Sequence, residues 1–544
     1  MNKIDLEIPY PKDRGFRYRF FEALPGLISW TVLFLPFILS LISPFVTVFF
    51  ILGYLLLWFA KSVGLDIRAV QGFKTIREQK KLPWLDLLED VRTGQFTVTN
   101  APKWHLNNLK RIAKTPVPIK PDKVIQALIV ATYNETRAVL DPTIKSVLAS
   151  NYDMKKVILV LAYEERGGPE KEKQAAEIIK DFGSEFMYAI AVKHPENIPG
   201  EVIGKGGNIT FAGRELARYV KQQGIDPVNV IVTTLDSDNR PHRNYLAALN
   251  YVYSVCHDPI NTSFQPVPMF TNNIWDAPAP MRVIATGNSF WMVVSSMRPH
   301  ALRNFSAHAQ SLQTIIDTDF WSVRTIVEDG HQFWRTYFRY NGNHQVFPIY
   351  LPIYQDAVLA NGYRRTLKAQ FIQLRRWAWG ASDVAYVIDK GFYTKNEVPK
   401  WSLIFKLLQL IEGHVSWATA PFLLAFSAFI PAFFNPQNYS ANLLPIIVSR
   451  VQTIALAGIF VTLFFSLSTL PPRPQHYKRR RTFLMVIQWV YLPVTTIVYN
   501  ALAGLYSQTR LMFGKYIDKF DVTEKAVITD EEGKKVEVEA NEDN

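Results

Sequence analysis

The sequence is poor in cysteine: Cys256 is the single one in 544 residues. One thiol cannot form an internal disulfide, and it excludes every metal site that needs several cysteines. The sequence also contains no zinc-ligand spacing, no aromatic RNA-binding signature and no long basic tail. Although the net charge is +13, nucleic acid is therefore not an expected partner. Anionic membrane surfaces and phosphate-bearing substrates fit this charge better.

Charged side chains are absent from long stretches of the sequence. Residues 23–60 contain none, which is enough for two membrane spans of about 20 residues each. The dipeptide Ser43-Pro44 marks the predicted turn between them. No cleavable signal peptide is expected, because this first apolar segment begins late and is too long. Three further apolar segments follow, at residues 413–434, 451–470 and 482–508.

Basic residues flank these apolar segments and predict their orientation. The N-terminal segment from Lys3 to Arg19 is basic, and so is the loop 471–481, so both are expected in the cytoplasm. The pattern predicts a multi-pass protein of the plasma (inner) membrane, with its central part in the cytoplasm. Five complete crossings would leave the C-terminal tail outside, whereas Pro493 interrupts the last segment and allows it to enter without crossing. The sequence leaves both topologies open.

The central part of the chain alternates between strand and helix patterns, which predicts an α/β fold with a parallel sheet and right-handed crossovers. The four apolar runs typical of buried parallel strands are residues 125–131, 157–162, 186–192 and 230–235. The helical patterns between them cover residues 142–150, 169–182 and 208–223.

Polar side chains follow all four predicted strands, at the edge where ligands of such sheets bind. The most specific group is Asp236-Ser237-Asp238. Two carboxylates one residue apart can hold a hard divalent cation, Mg²⁺ or Mn²⁺, which also binds phosphate oxygens. The alternative is a turn whose Asp and Asn residues cap the next helix, predicted at residues 245–255.

The rest of the sequence gives further local predictions. Residues 68–81 are basic with interspersed apolar residues, which is typical of a segment on the membrane surface. A strand is predicted around residues 287–291, a helix from Glu328 to Asn341, an extended stretch at 346–358 and a basic helix at 363–380. The predicted divisions are 1–62 for the N-terminal hairpin, 63–120 for an interfacial segment and linker, 121–400 for the α/β domain, 401–510 for the second membrane region and 511–544 for an acidic tail.

Four short motifs occur in a fixed order between the apolar segments. They are Thr132-Tyr133-Asn134-Glu135, Asp236-Ser237-Asp238, Glu328-Asp329 and Gln373-Leu374-Arg375-Arg376-Trp377. Together they resemble the membrane-embedded family 2 glycosyltransferases, the group of cellulose, chitin and hyaluronan synthases. The resemblance covers roughly residues 120–400 and the flanking apolar segments. It implies a GT-A-type, Rossmann-like cytoplasmic domain inserted between transmembrane helices.

The resemblance implies a binding site for a nucleotide-diphosphate sugar. In that family the first motif contacts the base and ribose, which would be the role of Thr132, Tyr133 and Glu135. Asp236 and Asp238 would hold the metal against the diphosphate. Further donor contacts would come from Glu164, Lys205 and Arg376. The family's usual Asp-Asp-Gly is here Tyr163-Glu164-Glu165, and the loop around Lys205 is equally a simple helix N-terminus.

The resemblance also implies a catalytic carboxylate. Asp329 occupies the position of the family's base, and a helix N-terminus favours its ionised form. Glu328 precedes it and would orient a neighbouring group. The alternative is an N-terminal capping pair without catalytic function.

Acceptor binding is the least specific prediction. Gln373, Arg376 and Trp377 share one helix face by their spacing, and Trp377 offers a flat apolar surface to a sugar ring. The alternative is an interfacial helix with an arginine and a tryptophan at the headgroups. Ser289 and Trp275 lie in segments where the family forms its acceptor site.

These observations predict an inverting glycosyltransferase. It would move a sugar from a nucleotide donor, a UDP-sugar by resemblance, to a polysaccharide or lipid-linked acceptor, with translocation of the product as a further possibility. The competing class is a membrane transporter or receptor with a cytosolic nucleotide-sensing domain. That class predicts ionisable residues inside the spans, and the apolar segments have almost none.

Overall fold

The computed structural model describes residues 5–517 and Lys525. The predicted acidic, disordered stretch from Thr529 onward lies outside the described residues. The α-helices in the described part are α1 (Phe16–Ile42), α2 (Pro44–Lys80), α3 (Trp84–Thr93), α4 (Lys103–Ile112), α5 (Arg137–Leu148), α6 (Pro169–Phe182), α7 (Lys205–Gln222), α8 (Tyr245–Val255), α9 (Ala279–Ser296), α10 (Leu312–Asp317), α11 (Glu328–Arg339), α12 (Tyr363–Ala378), α13 (Asp383–Ile388), α14 (Lys400–Phe426), α15 (Phe429–Phe434), α16 (Tyr439–Ala455), α17 (Gly458–Ser468), α18 (Arg480–Ile487), α19 (Leu492–Val494) and α20 (Leu502–Met512).

A mixed sheet forms the centre of the α/β domain. Its strands are β1 (Ile125–Thr132), β2 (Val157–Glu164), β3 (Tyr188–His194), β4 (Val230–Asp236), β5 (Arg240–Pro241), β6 (Thr262–Phe270), β7 (Ala309–Ser311) and β8 (Gln345–Gln355). Their order is β3-β2-β1-β4-β7-β6-β8-β5. The first four are parallel, and β7 pairs antiparallel with both β4 and β6. The carboxyl ends of β1 to β4 therefore meet at one edge.

The sheet is buried on both faces, as the continuous apolar runs predict. On β1, Leu128 and Val130 pack with α3, α5, α6 and α8 on one face. The alternate residues Ala127 and Ile129 pack with α7 and α10 on the other. Neighbouring side chains on a strand point to opposite faces, so both layers depend on the same short run.

The four predicted parallel strands and the three helices between them are confirmed, with shifts of a few residues at their ends. Helices α8, α11 and α12 and strand β8 also lie where the sequence predicts them. The strand predicted around residues 287–291 is wrong, because that run lies inside α9. A short apolar run cannot by its periodicity be told from a segment of buried helix.

The two N-terminal helices turn where predicted, with Ser43 between α1 and α2. Residues 68–81, predicted to lie on the membrane surface, do not form a separate element, because α2 continues to Lys80; their place on a membrane surface stays a prediction. No proline follows Pro44 in this helix to break it. Its last turns pack on the α/β domain, where a Cβ at Gly72 would contact Val293 of α9.

Four helical stretches are long and apolar enough to cross a membrane: Phe16–Ile42, Pro44–Lys80, Tyr439–Ser468 and Arg480–Met512. Helices α14 and α15 run alongside α1, and Asn435 after α15 donates to the carbonyl of Ser40 at 2.9 Å. The end of α15 therefore lies beside the α1–α2 turn. Helices α16 and α17 then run parallel to α2, since Leu444 packs near Val48 and a Cβ at Gly458 would contact Asp66.

Candidate active site

Several predicted site residues meet at the carboxyl edge of the sheet. Asp236 is the last residue of β4, Thr132 the last of β1 and Glu164 the last of β2. Asn208 in the first turn of α7 ties two of these ends together, donating to the carbonyls of Ala162 and Thr132 at 3.0 and 3.4 Å. The start of α7 is thus held against the ends of β1 and β2.

Lys205, the first residue of α7, joins the second and third sequence motifs. Its Nζ lies 2.9 Å from Oδ1 of Asp236 and 3.1 Å from Oδ2 of Asp329. Oε1 of Glu328 is 3.7 Å away. Burial would lower the pKa of this ammonium, but the carboxylates, Asp236 first, outweigh burial and raise it. Lys205 is therefore a permanent positive charge that holds the two acidic motifs together.

The two acidic residues at the start of α11 differ in exposure. The Asp329 side chain is 19% exposed, whereas that of Glu328 is 3% exposed. Burial, and then the neighbouring Asp329, raise the pKa of Glu328 to about 8, against opposing charges from Lys205 and Arg376. At neutral pH Glu328 is thus largely a neutral acid. Asp329 is the more exposed carboxyl group of the pair.

Two residues outside the motifs complete this cluster. Ser306 donates its hydroxyl to Oδ2 of Asp236 at 2.6 Å. His308 has Nδ1 at 3.6 Å from Oδ1 of Asp329 and 3.0 Å from the carbonyl of Phe305. Burial lowers the pKa of His308, although Asp329 opposes this. His308 is accordingly a neutral neighbour of Asp329.

Burial opposes ionisation of Asp236, but Lys205 and then Lys525 outweigh it and lower its pKa. Asp238 is fixed by the backbone N–H of Asp356, which donates to its Oδ2 at 2.9 Å. Burial, and then Asp238, raise the pKa of Asp356 to about 6. Both carboxyl groups of the Asp236-Ser237-Asp238 motif thus lie in a pocket that also contains the carboxyl group of Asp356.

Lys525 from the C-terminal tail reaches the same pocket. Its Nζ is 2.9 Å from Oδ1 of Asp238 and 2.7 Å from Oγ of Ser237. Oε1 of Glu135 lies 3.9 Å away. Burial would lower the pKa of Lys525, but Asp238 and the other carboxylates raise it. A cationic group therefore occupies the position next to Asp238.

The first motif folds into a closed loop beside this pocket. Oε2 of Glu135 accepts from the backbone N–H of Tyr133 at 2.8 Å and from the hydroxyl of Thr132 at 3.0 Å. Glu164 pairs with Arg166, whose guanidinium lies 4.0 Å from the centre of the Tyr133 ring. Thr132, Tyr133, Glu135 and Glu164 are thus brought together.

Two glycines allow the start of α7 to pack closely. A Cβ at Gly206 would collide with the carbonyl oxygen of Ser322. A Cβ at Gly207 would lie 2.6 Å from Oε2 of Glu201 and 3.2 Å from the ring of His194. Larger residues would push the first turn, and with it the Lys205 ammonium, out of place.

Helix α12 carries the fourth motif. The charge of Arg376 acts on buried Glu328, so the third and fourth motifs are close. The Trp377 ring packs at 5.9 Å from the ring of Phe270. Gln373 accepts from Gln370 at 3.1 Å. All three motif residues are half-buried.

The two other residues predicted for acceptor binding have internal partners. Ser289 is buried on α9, where its Oγ accepts from the backbone N–H of Phe270 at 2.9 Å. Trp275 is 5% exposed, and its indole N–H donates to the carbonyl of Pro471 at 2.9 Å. These contacts favour packing roles, and acceptor binding by either residue stays a prediction.

The donor groups present fit a divalent cation shared with phosphates. In the described part of the chain, no three His, Cys, Asp or Glu side chains are grouped to hold a metal. Mg²⁺ commonly takes one or two carboxylates and completes its coordination with phosphates and water. Asp236 and Asp238 offer such oxygens, and each already contacts an ammonium group.

Sequence reasoning missed Ser306, His308, Arg166 and Lys525 as neighbours of the site. Ser306 and His308 lie in a loop without a local pattern, and contact with Asp236 and Asp329 arises from the fold. Arg166 is two residues from Glu164, so the sequence could have predicted this ion pair. Lys525 is one of several charged residues in its tail, and nothing local distinguishes it.

The sequence matches no protein-family model and no curated protein. Among solved structures, the mannosyltransferase PcManGT from Pyrobaculum calidifontis, in complex with GDP-Man and Mn²⁺, is 16% identical with a TM-score of 0.38. The match covers 74% of this chain and 99% of that one. TarS 1–349 from S. aureus, in complex with UDP-GlcNAc, is 10% identical with a TM-score of 0.36, over 76% of this chain and 98% of that one. Both TM-scores are below 0.5, so these matches carry no argument about function.

Proposed function

We propose that the chain is an inverting membrane glycosyltransferase of the family 2, GT-A type. It transfers a sugar from a nucleotide-diphosphate donor, with UDP-sugars the first to test, to a polysaccharide or lipid-linked acceptor. The observation that carries this proposal is the position of Lys205. One ammonium group lies between Asp236, the candidate donor-side carboxylate, and Asp329, the candidate base.

The donor side of the site is built for a charged diphosphate. The proposed ligands of Mg²⁺ or Mn²⁺ are Asp236 and Asp238, and the cation would supply charge neutralisation for the departing nucleotide. Lys205 and Arg376 add fixed positive charge nearby. Tyr133 and Glu135, beside the Glu164–Arg166 pair, offer a ring and carboxylate oxygens to the nucleoside.

The acceptor side needs a group that takes a proton from the attacking hydroxyl. Asp329 fits this role, since it is the more exposed member of its pair and its carboxyl oxygen Oδ2 lies 3.1 Å from the Lys205 ammonium. Glu328, neutral at pH 7 and buried, fits a positioning role. The alternative of a nucleotide-sensing receptor gives Asp329 no function.

The direct test is product formation by the purified full-length protein. A panel of radiolabelled nucleotide sugars is offered with membrane lipids and oligosaccharide acceptors, and transfer from at least one donor is expected. The Asp329→Asn variant is the control, because it should keep donor binding and lose transfer. Donor binding without transfer to any acceptor by the wild type would support the nucleotide-sensing class instead.

A further inference from the structure

The last apolar segment, Arg480–Met512, contacts the α/β domain at both ends. Near its start, Arg481 donates to the carbonyl of Trp275 at 2.6 Å, and Gln488 pairs with buried Arg282. Near its end, Ser507 donates to the carbonyl of Arg375 at 2.6 Å. All three partners belong to the same domain, on the same side of the spanning helices.

The middle of this segment also stays at the domain. Met485 and Ala503 are buried in one cluster with Phe270 and Leu374, and Tyr499 packs against that cluster. A complete crossing would move one end of the segment about 30 Å away, across the hydrocarbon core. The contacts at both ends and in the middle are incompatible with that displacement.

The opposite face of the segment is apolar and exposed. Residues 482–509 contain no charged side chain. Exposed apolar residues recur at steps of three or four, which places them on one face of a helix. They are Phe483, Ile487, Val490, Val494, Val498, Leu502 and Tyr506. A continuous apolar stripe of this length marks an interaction surface.

Positive charge frames the apolar stripe. Lys478, Arg479 and Arg480 directly precede it and are exposed. Arg510 and Lys515 follow it, and no acidic residue occurs between positions 471 and 517. Apolar residues on one face with basic residues at the borders fit a bilayer surface of anionic lipids, because each basic residue near such a surface adds attraction.

We propose that residues 478–512 form a docking surface for the anionic cytoplasmic leaflet and do not cross the bilayer. The apolar stripe enters the headgroup–acyl boundary, and Lys478, Arg479 and Arg480 contact lipid phosphates. The domain-facing side of the same segment fixes the distance of the site from the bilayer. This inference does not depend on the proposed activity.

The position of Lys525 supports this topology independently. Lys525 contacts Asp238, so this residue, which follows the segment in the chain, is on the same side as the site. With α1, α2, the α14–α15 pair and the α16–α17 pair as four crossings, the described residues before α1 lie on the same side as residues 513–517 and Lys525. A fifth crossing would separate Lys525 from Asp238.

The lipid contact is tested with the full-length chain in nanodiscs. In a Cys256→Ser background, Val490→Cys carries an environment-sensitive fluorophore, in phosphatidylcholine alone or mixed with phosphatidylglycerol. We expect emission at shorter wavelength than in water, with a further shift when phosphatidylglycerol is present. Combined Lys478→Gln, Arg479→Gln and Arg480→Gln substitutions should abolish that further shift.

A matched control removes three exposed lysines at the far ends of other helices, by Lys145→Gln, Lys180→Gln and Lys221→Gln. This variant should keep the response to phosphatidylglycerol. Water-like emission at residue 490, or an equal lipid response in both triple variants, would overturn the proposed surface.

The absence of a crossing is tested separately, with Lys515→Cys in the same background. An impermeant thiol reagent should label this residue in inside-out vesicles and leave it unlabelled in intact cells. Labelling in intact cells would overturn the non-crossing topology, and it would leave the proposed glycosyl transfer unaffected.

Discussion

At the scale of single residues, exposure distinguishes the adjacent carboxyl groups of Glu328 and Asp329. The Asp329 carboxyl is partly exposed and lies 3.1 Å from the Lys205 ammonium, whereas Glu328 is enclosed and mostly neutral at pH 7. A base must be deprotonated and reachable. The two residues therefore have different expected phenotypes.

Asp329→Asn should keep the fold, membrane insertion and donor affinity but lower sugar transfer by roughly 10² to 10⁴, the usual loss of a positioned base. Single-turnover kinetics measure the transfer rate, and donor titration measures the donor affinity. Near wild-type turnover in Asp329→Asn, combined with an inactive Glu328→Gln, would move the base to Glu328. Turnover in both variants would remove the catalytic interpretation of this motif.

Glu328 also makes stability depend on pH. Its folded pKa of about 8 is above its ordinary value of 4.5. The contribution of protonated Glu328 to the free energy of unfolding is therefore complete below pH 4.5. It is lost as the pH rises through about 8. The melting temperature of the donor-free protein should fall over this range. Glu328→Gln, which cannot ionise, should show a smaller fall, and an equal fall in both proteins would contradict the raised pKa.

The metal prediction belongs to Asp238. Because Asp236 and Asp238 are the proposed ligands of the cation, donor binding should require a divalent cation that neutralises the diphosphate. Asp238→Asn should weaken donor affinity, unlike Asp329→Asn. Isothermal titration with Mg²⁺ or Mn²⁺ checks this, and equal donor affinity in excess chelator would rule out the metal role.

At the scale of elements, helix α12 carries two residues, Arg376 and Trp377, with different predicted roles. Arg376 acts on the acidic cluster, and Trp377 packs on Phe270 at the border of that region. Arg376→Ala should weaken donor binding, whereas Trp377→Ala should raise the acceptor concentration needed for half-maximal rate and spare donor binding. Titration of each substrate distinguishes the two. Loss of folding or membrane insertion in both variants would favour a plain interfacial helix.

The sequence predicts some of the secondary-structure elements and site contacts, but not all of them. The buried parallel strands and the carboxyl-edge motifs follow from local apolar runs and the polar residues after them. The strand predicted at residues 287–291 is part of α9 instead, because a short apolar run cannot by its periodicity be told from a segment of buried helix. The neighbours Ser306 and Lys525 are distant in sequence from Asp236 and Asp238, so only the fold brings them together.

At the scale of the whole molecule, the spanning helices and the α/β domain share elements. Helix α2 leaves the spanning region and continues along the domain to Lys80, and Arg480–Met512 returns to the domain at both ends. The site therefore keeps a fixed position relative to the spanning helices.

The predicted topology decides whether the site faces cytosolic sugar nucleotides. In a Cys256→Ser background, Gln475→Cys in the basic loop should resist an impermeant thiol reagent in intact cells, because that loop is expected in the cytoplasm. Gln437→Cys, exposed between α15 and α16 near the α1–α2 turn, is the matched control and should label quickly. The reverse pattern would place the site on the outer side, away from cytosolic sugar nucleotides, and the proposed donor would then be wrong. Labelling at neither position would instead show that α14 and α15 fail to cross.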